Sequence, residues 1–254
     1  MQRQTITNPT RVYPSRRLRK PWLIGLLLLV GMGITLVLDY DIDQTVTAED
    51  EQYIQLYLQG IPSGPASAQT YEQQLALIKA AQNVVLTHSA TGVAIALGQP
   101  REPKDVYTSH LGLCYDRSRV LEKIFMKLGY QTRHVTLFAD VPALSKLQEL
   151  TTAGVPSHAI TEVLTKKGWL AVDSNHRWVA IDAQSQPYSM ENLQAKLREG
   201  KASVWLTQPE HDYQQFYSKP CTFIYGLYSR HGQFYPPYTP GIPDYNLREL
   251  LYNF

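Results

Sequence analysis

A cysteine, a histidine and an aspartate occur in that order along the chain, as Cys114, His158 and Asp173. A nucleophilic cysteine needs a stabilised thiolate, a neighbouring base that shares its proton, and a polar group that orients the base. Cys114 opens a stretch with helical spacing of apolar residues, and the backbone N–H groups and dipole of a helix start favour a negative sulfur. These residues predict thiol chemistry, with Cys114 as nucleophile, His158 as base and Asp173 as the orienting group.

The histidine and the aspartate lie on two strand-like runs joined by a hairpin-like turn at 165–168. If the two ends of that turn pair with each other, Asp173 lies opposite Ile160 and Asn175 lies opposite His158. Both side chains then share the histidine's face of the sheet, and Asp173 is a diagonal neighbour within reach of the imidazole. A turn one residue longer or shorter would put Asp173 on the other face.

An acyl-transfer site also needs donors for the oxyanion. The backbone amide of Cys114 is the first candidate, because the first N–H groups of a helix have no partner inside the helix. Further candidates are Tyr107, Thr108 and Ser109 upstream and Asn175 on the histidine's face.

Each of these residues also has a structural explanation. A lone cysteine on an amphipathic helix is more often a small buried apolar residue, and an aspartate after a strand is often a turn former. A zinc site built from Cys114, His134, His158 and His176 is disfavoured, because these residues lack the spacing of ligand pairs. We therefore expect no metal and no cofactor. The other cysteine, Cys221, could pair with Cys114 in an oxidising compartment, but its apolar surroundings indicate a core position.

The periodicity of apolar residues predicts the helices and strands that must position these residues, and Gly and Pro mark the turns and loops between them. Tyrosines and prolines in the segment 213–254 could line a groove for extended peptide or polysaccharide, or could lay a strap over the domain. No internal repeat is visible. The pattern predicts helices at Gln52–Gln59, Thr70–His88, Cys114–Leu128 and Met190–Arg198, a loop at Gly98–Tyr107, and strands at Thr132–Phe138, His158–Leu164 and Trp169–Asp173.

Four segments in order resemble the core of the transglutaminase-like superfamily: Gly112 to Ser118 around the cysteine, Leu128 to His134, His158 to Val163, and Gly168 to Asp173. The resemblance implies an α+β, papain-like fold in which a helix carrying the cysteine packs on an antiparallel sheet. It also implies a Cys-His-Asp triad. The chain departs from the family pattern at Tyr115 and Ile160, where the family commonly has Trp, which alters the pocket walls.

The N-terminal region predicts a membrane anchor. Residues 21–38 form an uncharged segment of 18 residues, and this is about the minimum length for a helix that crosses a bilayer. The basic segment 1–20 precedes it and acidic residues follow it, so the positive-inside rule puts the N-terminus in the cytoplasm. The rival interpretation is a cleaved signal peptide, with a small-residue site at Val46-Thr47-Ala48. The predicted organisation is therefore a tail at 1–20, a span at 21–38, a linker with a short helix at 39–69, and a transglutaminase-like domain with a Tyr/Pro-rich extension at 70–254.

The charge of the body excludes one class of function. Six of the 24 basic residues lie in 1–20, which leaves 18 bases against 22 acids and a net charge of about −4. A body of this charge is not expected to bind nucleic acid. No Asp-rich loop of calcium-binding form is present.

The expected function is that of a thiol peptidase or amidase, anchored in the inner membrane of a bacterium, that acts through an acyl-enzyme on an extracytoplasmic protein or peptide. Two alternatives remain open. One is a non-catalytic binding or scaffold module of an envelope or polysaccharide system, with an envelope assembly partner. The other is an acyl transferase that uses an amine as acceptor.

Overall fold

An antiparallel sheet of four strands organises the body of the protein, in a computed structural model that describes residues 20–89, 92–96, 98–201, 205–228 and 244–254. The spatial order is β3-β2-β1-β4. These strands are β1 (Thr132–Ala139), β2 (Ser157–Thr165), β3 (Gly168–Asp173) and β4 (Cys221–Tyr225), and a smaller sheet pairs β5 (Leu227–Tyr228) with β6 (Asp244–Tyr245).

The register of β2 and β3 follows the predicted pairing. Thr165 pairs with Gly168 and Ile160 pairs with Asp173, so this part of the prediction is confirmed. The strand β3 ends at Asp173, however, and the ladder does not continue to an Asn175–His158 pair. Successive side chains of β2 point to opposite faces of the sheet, so each face packs against a different set of residues.

Helices cover both faces of the sheet. One core cluster includes Val163 of β2 and residues of four helices. The other includes Ile160 of β2 and aromatic residues from the C-terminal part of the chain. The helices of the body are α2 (Ala48–Tyr57), α3 (Tyr71–His88), α4 (Pro103–Ser109), α5 (Cys114–Lys127), α6 (Lys146–Thr151), α7 (Met190–Arg198), α8 (Gln214–Tyr217) and α9 (Leu247–Leu250). The body is therefore an α+β structure with an antiparallel sheet and helices.

The predicted loop at Gly98–Tyr107 was wrong in its second half, where α4 begins at Pro103. Proline suits the first position of a helix, since its φ is preset and the missing N–H would have no partner there. Asp105 accepts the backbone N–H of Glu102 at 3.0 Å and completes the helix start. The helix α6 was not predicted; it begins after Ser145, whose hydroxyl accepts the amide of Gln148.

The helix that carries the cysteine is more buried than its amphipathic pattern indicates. Charged side chains on its other side are buried in ion pairs, such as Lys123 with Asp50 at 2.7 Å and Arg119 with Glu102 at 3.4 Å. The amphipathic pattern alone predicts exposure of these charged residues, because it does not show that they form ion pairs. The helix ends at Lys127, and Gly129 follows with a φ of +84°, a conformation in which glycine is favoured.

The chain divides into two units, Met1–Asp39 and Tyr40–Phe254. Helix α1 (Lys20–Tyr40) contains the residues predicted to span a membrane. In the described part of the chain, no helix meets the length and apolarity that a bilayer crossing requires. Side chains at 20–24 and 35–39 lie outside the described residues, as do the tail at 1–19 and the predicted strap within 229–243. The span and the strap stay predictions.

Candidate active site

The site begins with an ion pair between two strands. His158 lies near the start of β2 and Asp173 at the end of β3, and His158 Nε2 lies 2.9 Å from Asp173 Oδ2. The two side chains are 2% and 0% exposed. The diagonal arrangement expected from the register therefore brings the carboxylate to the imidazole.

The carboxylate of Asp173 is held by four donors. Its Oδ1 accepts the backbone N–H groups of Asn175 at 2.6 Å and His176 at 2.8 Å, and its Oδ2 accepts His158 and the hydroxyl of Tyr217. Burial raises the pKa of Asp173, but the charge of His158 and these hydrogen bonds outweigh burial and lower it. Asp173 is therefore ionised and fixed in orientation.

A buried glutamine on α3 supports the turn that follows Asp173. The side-chain nitrogen of Gln82 donates to the backbone oxygens of Asp173 at 2.8 Å, His176 at 2.9 Å and Trp178 at 2.8 Å. Buried carbonyl groups need such donors, since an unpaired one loses its hydrogen bond to water without compensation. Gln82 thus ties the turn to the helical layer.

Cys114 is the first residue of α5, is partly buried and forms no disulfide. It packs against the cluster of Tyr115 and Ala159, and Ala159 is the neighbour of His158 in β2. Burial lowers the pKa of His158, but Asp173 and Cys114 outweigh it and raise the pKa to about 9. Because Nε2 faces Asp173, Nδ1 is the ring nitrogen left for the sulfur. With this pKa, the ring is an imidazolium at neutral pH, paired with the carboxylate of Asp173.

The start of α5 is anchored by a buried ion pair. The carboxylate of Asp116 accepts the backbone N–H of Leu113 at 2.8 Å and pairs with Arg101 at 2.5 Å. Arg101 also donates to the backbone oxygen of Ile95 at 2.7 Å. These contacts fix the turn before Cys114. The amides at the start of the helix are the donors that the site offers to an oxyanion.

Asn175 links α5 to the histidine without touching it directly. Its side-chain oxygen accepts Arg117, and its side-chain nitrogen donates to the hydroxyl of Tyr213 at 2.5 Å. The ring of Tyr213 contacts the ring of His158 edge to face, with centroids 4.7 Å apart. Arg117 also donates to the backbone oxygen of Ser174 at 2.7 Å. Because β3 ends before Asn175, this residue does not pair with His158 as predicted. It instead connects Arg117 with Tyr213 beside the site.

The structure does not bring the upstream candidates to the cysteine. Tyr107 packs against the rings of Tyr57 and His88, at 5.0 Å and 4.3 Å between centroids. Ser109 donates to the backbone oxygen of Asp105 at 2.6 Å, within α4, and Thr108 likewise donates to Lys104. In the part of the chain that the structure describes, none of their contacts reaches Cys114. Their predicted role as oxyanion donors has no geometric support.

The second cysteine and His134 lie elsewhere. Cys221 is 1% exposed, its thiol contacts the backbone oxygen of Phe216 at 3.6 Å, and burial raises its pKa to about 12. Both cysteines are free, and Cys221 has the predicted core position. Burial lowers the pKa of His134 to about 3, and its ring stacks on Tyr228. Within the described ranges, no group of three or more potential ligands is arranged to hold a metal.

Four residues at this site were not found from the sequence: Gln82, Arg117, Tyr213 and Tyr217. The sequence places the two tyrosines only in a groove or strap. Local patterns carry no signal for these roles, because each depends on a contact between residues far apart in the chain.

Comparisons with known proteins give a weak likeness to solved structures. No family model matches the chain, and no curated protein matches it. Among solved structures, the chain is similar to one from Cytophaga hutchinsonii that is described as a candidate cysteine protease. The two are 13% identical, with a TM-score of 0.35, over 55% of this chain and 42% of that one. The matched region thus spans less than half of that protein.

Proposed function

We propose that this chain is a thiol hydrolase of papain-like, transglutaminase-like fold, with Cys114 as nucleophile, His158 as base and Asp173 as the orienting residue. The observation that carries the proposal is the buried hydrogen bond of His158 with Asp173, combined with the effect of Cys114, at a helix start, on the pKa of the same ring. Three residues from three elements converge there, which a purely structural role for each would not require.

The proposed reaction starts from a thiolate and an imidazolium. An imidazolium beside the sulfur and the dipole of α5 both stabilise a thiolate, which is the nucleophilic form. The sulfur attacks the carbonyl carbon of an amide and forms a carbon–sulfur bond, and the carbonyl electrons move to the oxygen. The amides at the start of α5 donate to that oxyanion.

Collapse of this intermediate breaks the carbon–nitrogen bond, and His158 gives its proton to the leaving amine. Water then attacks the thioester, His158 accepts the proton of the water, and the thiolate leaves as the acid is released. Asp173 keeps its charge throughout and holds the ring in one orientation, as the third member of such a triad does. Water as acceptor makes the enzyme a hydrolase, and an amine would make it an acyl transferase.

The location of the domain is part of the proposal. The uncharged segment 21–38, the six bases before it and the acidic residues after it support a single span with the domain outside the cytoplasm. The substrate would then be an extracytoplasmic protein or peptide. The limits of the linker at 39–69 and of the domain at 70–254 are likewise proposed from the sequence.

A proteome comparison tests the proposed function. Cells that make the wild-type chain are compared with cells that make Cys114→Ala, and new protein N-termini are identified by mass spectrometry. We expect at least one extracytoplasmic protein to be cleaved only with the wild type, and Cys221→Ala to behave as the wild type does. If Cys114→Ala leaves the N-termini and the cellular phenotype unchanged, the chain is not a peptidase and the binding-module alternative replaces this proposal.

A further inference from the structure

Tyr217 is a buried tyrosine whose hydroxyl lies inside the proposed site. It ends helix α8 and is 1% exposed. Its ring stacks on Trp178, with centroids 4.1 Å apart and planes at 28°, and contacts Phe216 edge to face. The indole nitrogen of Trp178 in turn donates to the backbone oxygen of Thr207 at 2.9 Å. These contacts aim the hydroxyl in one direction.

That hydroxyl donates to Oδ2 of Asp173, the oxygen that also faces Nε2 of His158. The other carboxylate oxygen is occupied by two backbone amides. Oδ2 of Asp173 therefore accepts hydrogen bonds from two side chains, those of His158 and Tyr217. Burial and the charge of Asp173 raise the pKa of Tyr217 well above its usual range, so the phenol keeps its proton and remains a donor.

We propose that Tyr217 is a positioning residue of this site, which fixes the carboxylate of Asp173 and limits how strongly that carboxylate holds the proton of His158. The inference deepens the proposed function and depends on it for its catalytic meaning. A hydrogen bond to a carboxylate draws charge from the oxygen, and in a buried site this charge is not compensated by water. Less charge on Oδ2 means a weaker hold on the imidazolium.

The consequence concerns the step in which His158 must release its proton to the leaving amine. A carboxylate with no second donor would hold the imidazolium more firmly and make it a poorer acid. Tyr217 thus keeps the histidine acidic enough to act near neutral pH. The two backbone amides on Oδ1 cannot replace it, because they bind the oxygen that faces away from the ring.

The titration of His158 tests this inference without a substrate. The full chain is labelled with ¹⁵N-histidine, and the signal of His158 is assigned by its loss in His158→Gln. We expect Tyr217→Phe to raise the titration midpoint of His158 by about half a pH unit or more. Tyr225→Phe is the matched control: Tyr225 is equally buried in the same core cluster, and its hydroxyl accepts Arg133 at 2.9 Å instead. This control should leave the midpoint unchanged.

A second variant keeps the test valid if Tyr217→Phe does not fold. Incorporation of 3-fluorotyrosine at position 217 preserves the shape of the ring and makes its hydroxyl a stronger donor. The midpoint of His158 should then fall below that of the wild type. An unchanged midpoint in a folded variant, or shifts of the opposite sign, would overturn the role of Tyr217.

The same measurement separates this inference from the proposed function. If Cys114→Ala leaves the titration of His158 unchanged, the cysteine and histidine do not act together and the proposed function fails. The response to Tyr217 variants would still report whether this tyrosine controls the pair of His158 and Asp173. If only the Tyr217 variants show no effect, the further inference fails alone.

Discussion

At the scale of single residues, the pair of His158 and Asp173 links the chemistry of the site to the stability of the fold. The pKa of His158 is raised from 6.5 to about 9 in the folded chain, where Asp173 and Cys114 outweigh the effect of burial. The folded state therefore binds this proton more tightly than the unfolded state does. This contribution to stability is full below pH 6.5 and is lost as the pH rises to about 9.

Replacing the carboxylate tests this link. Asp173→Asn keeps the shape of the side chain but removes the charge that holds the imidazolium, while burial continues to lower the pKa of His158. We expect the titration midpoint of His158, followed by NMR, to fall from about 9 to 6.5 or below. The loss of stability between these pH values should disappear as well. A midpoint that stays near 9 would show that Asp173 does not control the histidine.

The residues that meet at the site could be predicted where their spacing along the chain determines the geometry. The turn at 165–168 sets the register, so the approach of Asp173 to His158 could be derived from counting alone. Tyr217 could not be derived in this way, because 44 residues separate it from Asp173 and its position depends on stacking with Trp178. The prediction extended β3 to Asn175, whereas the strand ends at Asp173.

At the scale of elements, helix α5 joins the site to both layers of the body. Its Ser118 hydroxyl lies 3.1 Å from His134 of β1 and 2.9 Å from Thr161 of β2, inside a fully buried polar network. Networks of this kind fix the orientation of an element, because each group needs its particular partner. The position of Cys114 thus depends on contacts one turn further along the helix.

Helix α4 was not predicted, and β4 was identified only through the apolar surroundings of Cys221, because local periodicity decides neither element. The pairing of β4 with β1 joins segments about 85 residues apart, which local periodicity cannot show. The helix α4 has only seven residues, so its first-turn contacts and packing decide whether it forms. Long periodic helices such as α3, by contrast, were predicted to within one residue.

Gly226, between β4 and β5, lies close to the C-terminal helix α9. Its φ is +71°, and an added Cβ would lie 2.7 Å from the backbone nitrogen of Leu250 and 2.8 Å from the backbone oxygen of Asn246. We expect Gly226→Ala to reduce the free energy of unfolding by about 2 to 4 kcal/mol, because backbone must move to admit the methyl group.

The matched control for this change is Gly60→Ala. Gly60 also has a positive φ, of +80°, but an added Cβ there meets nothing within 4 Å. Its loss should be about 1 kcal/mol, the cost of the backbone conformation alone. Urea unfolding measures both variants. Equal losses would show that the approach of α9 at Gly226 adds nothing to stability.

At the scale of the whole molecule, a buried pair of carboxyl groups joins the two ends of the body to α5. Tyr228 contacts Glu122 at 2.5 Å and Glu249 at 2.8 Å, and Gln44 donates to Glu249 at 2.6 Å. A single hydroxyl proton cannot serve two carboxylates, so one of the two acids must carry a proton. Among the described residues, Arg119 lies 3.5 Å from Glu122.

This pair gives the stability a pH dependence of known sign. Burial and the neighbouring Glu122 raise the pKa of Glu249 well above 4.5, and burial raises that of Glu122 in spite of Arg119. Acids with raised pKa values bind protons more tightly when folded, so their contribution is present below pH 4.5 and is lost as the pH rises.

The neutral variant Glu249→Gln should remove much of this dependence. We expect its free energy of unfolding to improve relative to the wild type by up to about 1.4 kcal/mol for each pH unit above 4.5, until the wild-type pair has titrated. Urea unfolding at several pH values measures the difference. Glu51→Gln, which removes an exposed carboxylate paired with Lys127, serves as control. A difference between Glu249→Gln and the wild type that does not change with pH would contradict the protonated pair.

The reactivity of Cys114 tests the central claim most directly. The full chain is treated with iodoacetamide from pH 5 to 10, and the labelling rates of Cys114 and Cys221 are followed by mass spectrometry in the wild type and in His158→Gln. Cys221 is an internal control, because it is buried and its pKa is raised to about 12. We predict that Cys114 reacts at least about tenfold faster than Cys221 at pH 6 and that His158→Gln removes this advantage, because the imidazolium stabilises the thiolate. Equal, slow labelling of both cysteines, or a profile of Cys114 that His158→Gln leaves unchanged, would contradict a catalytic pairing of the two residues.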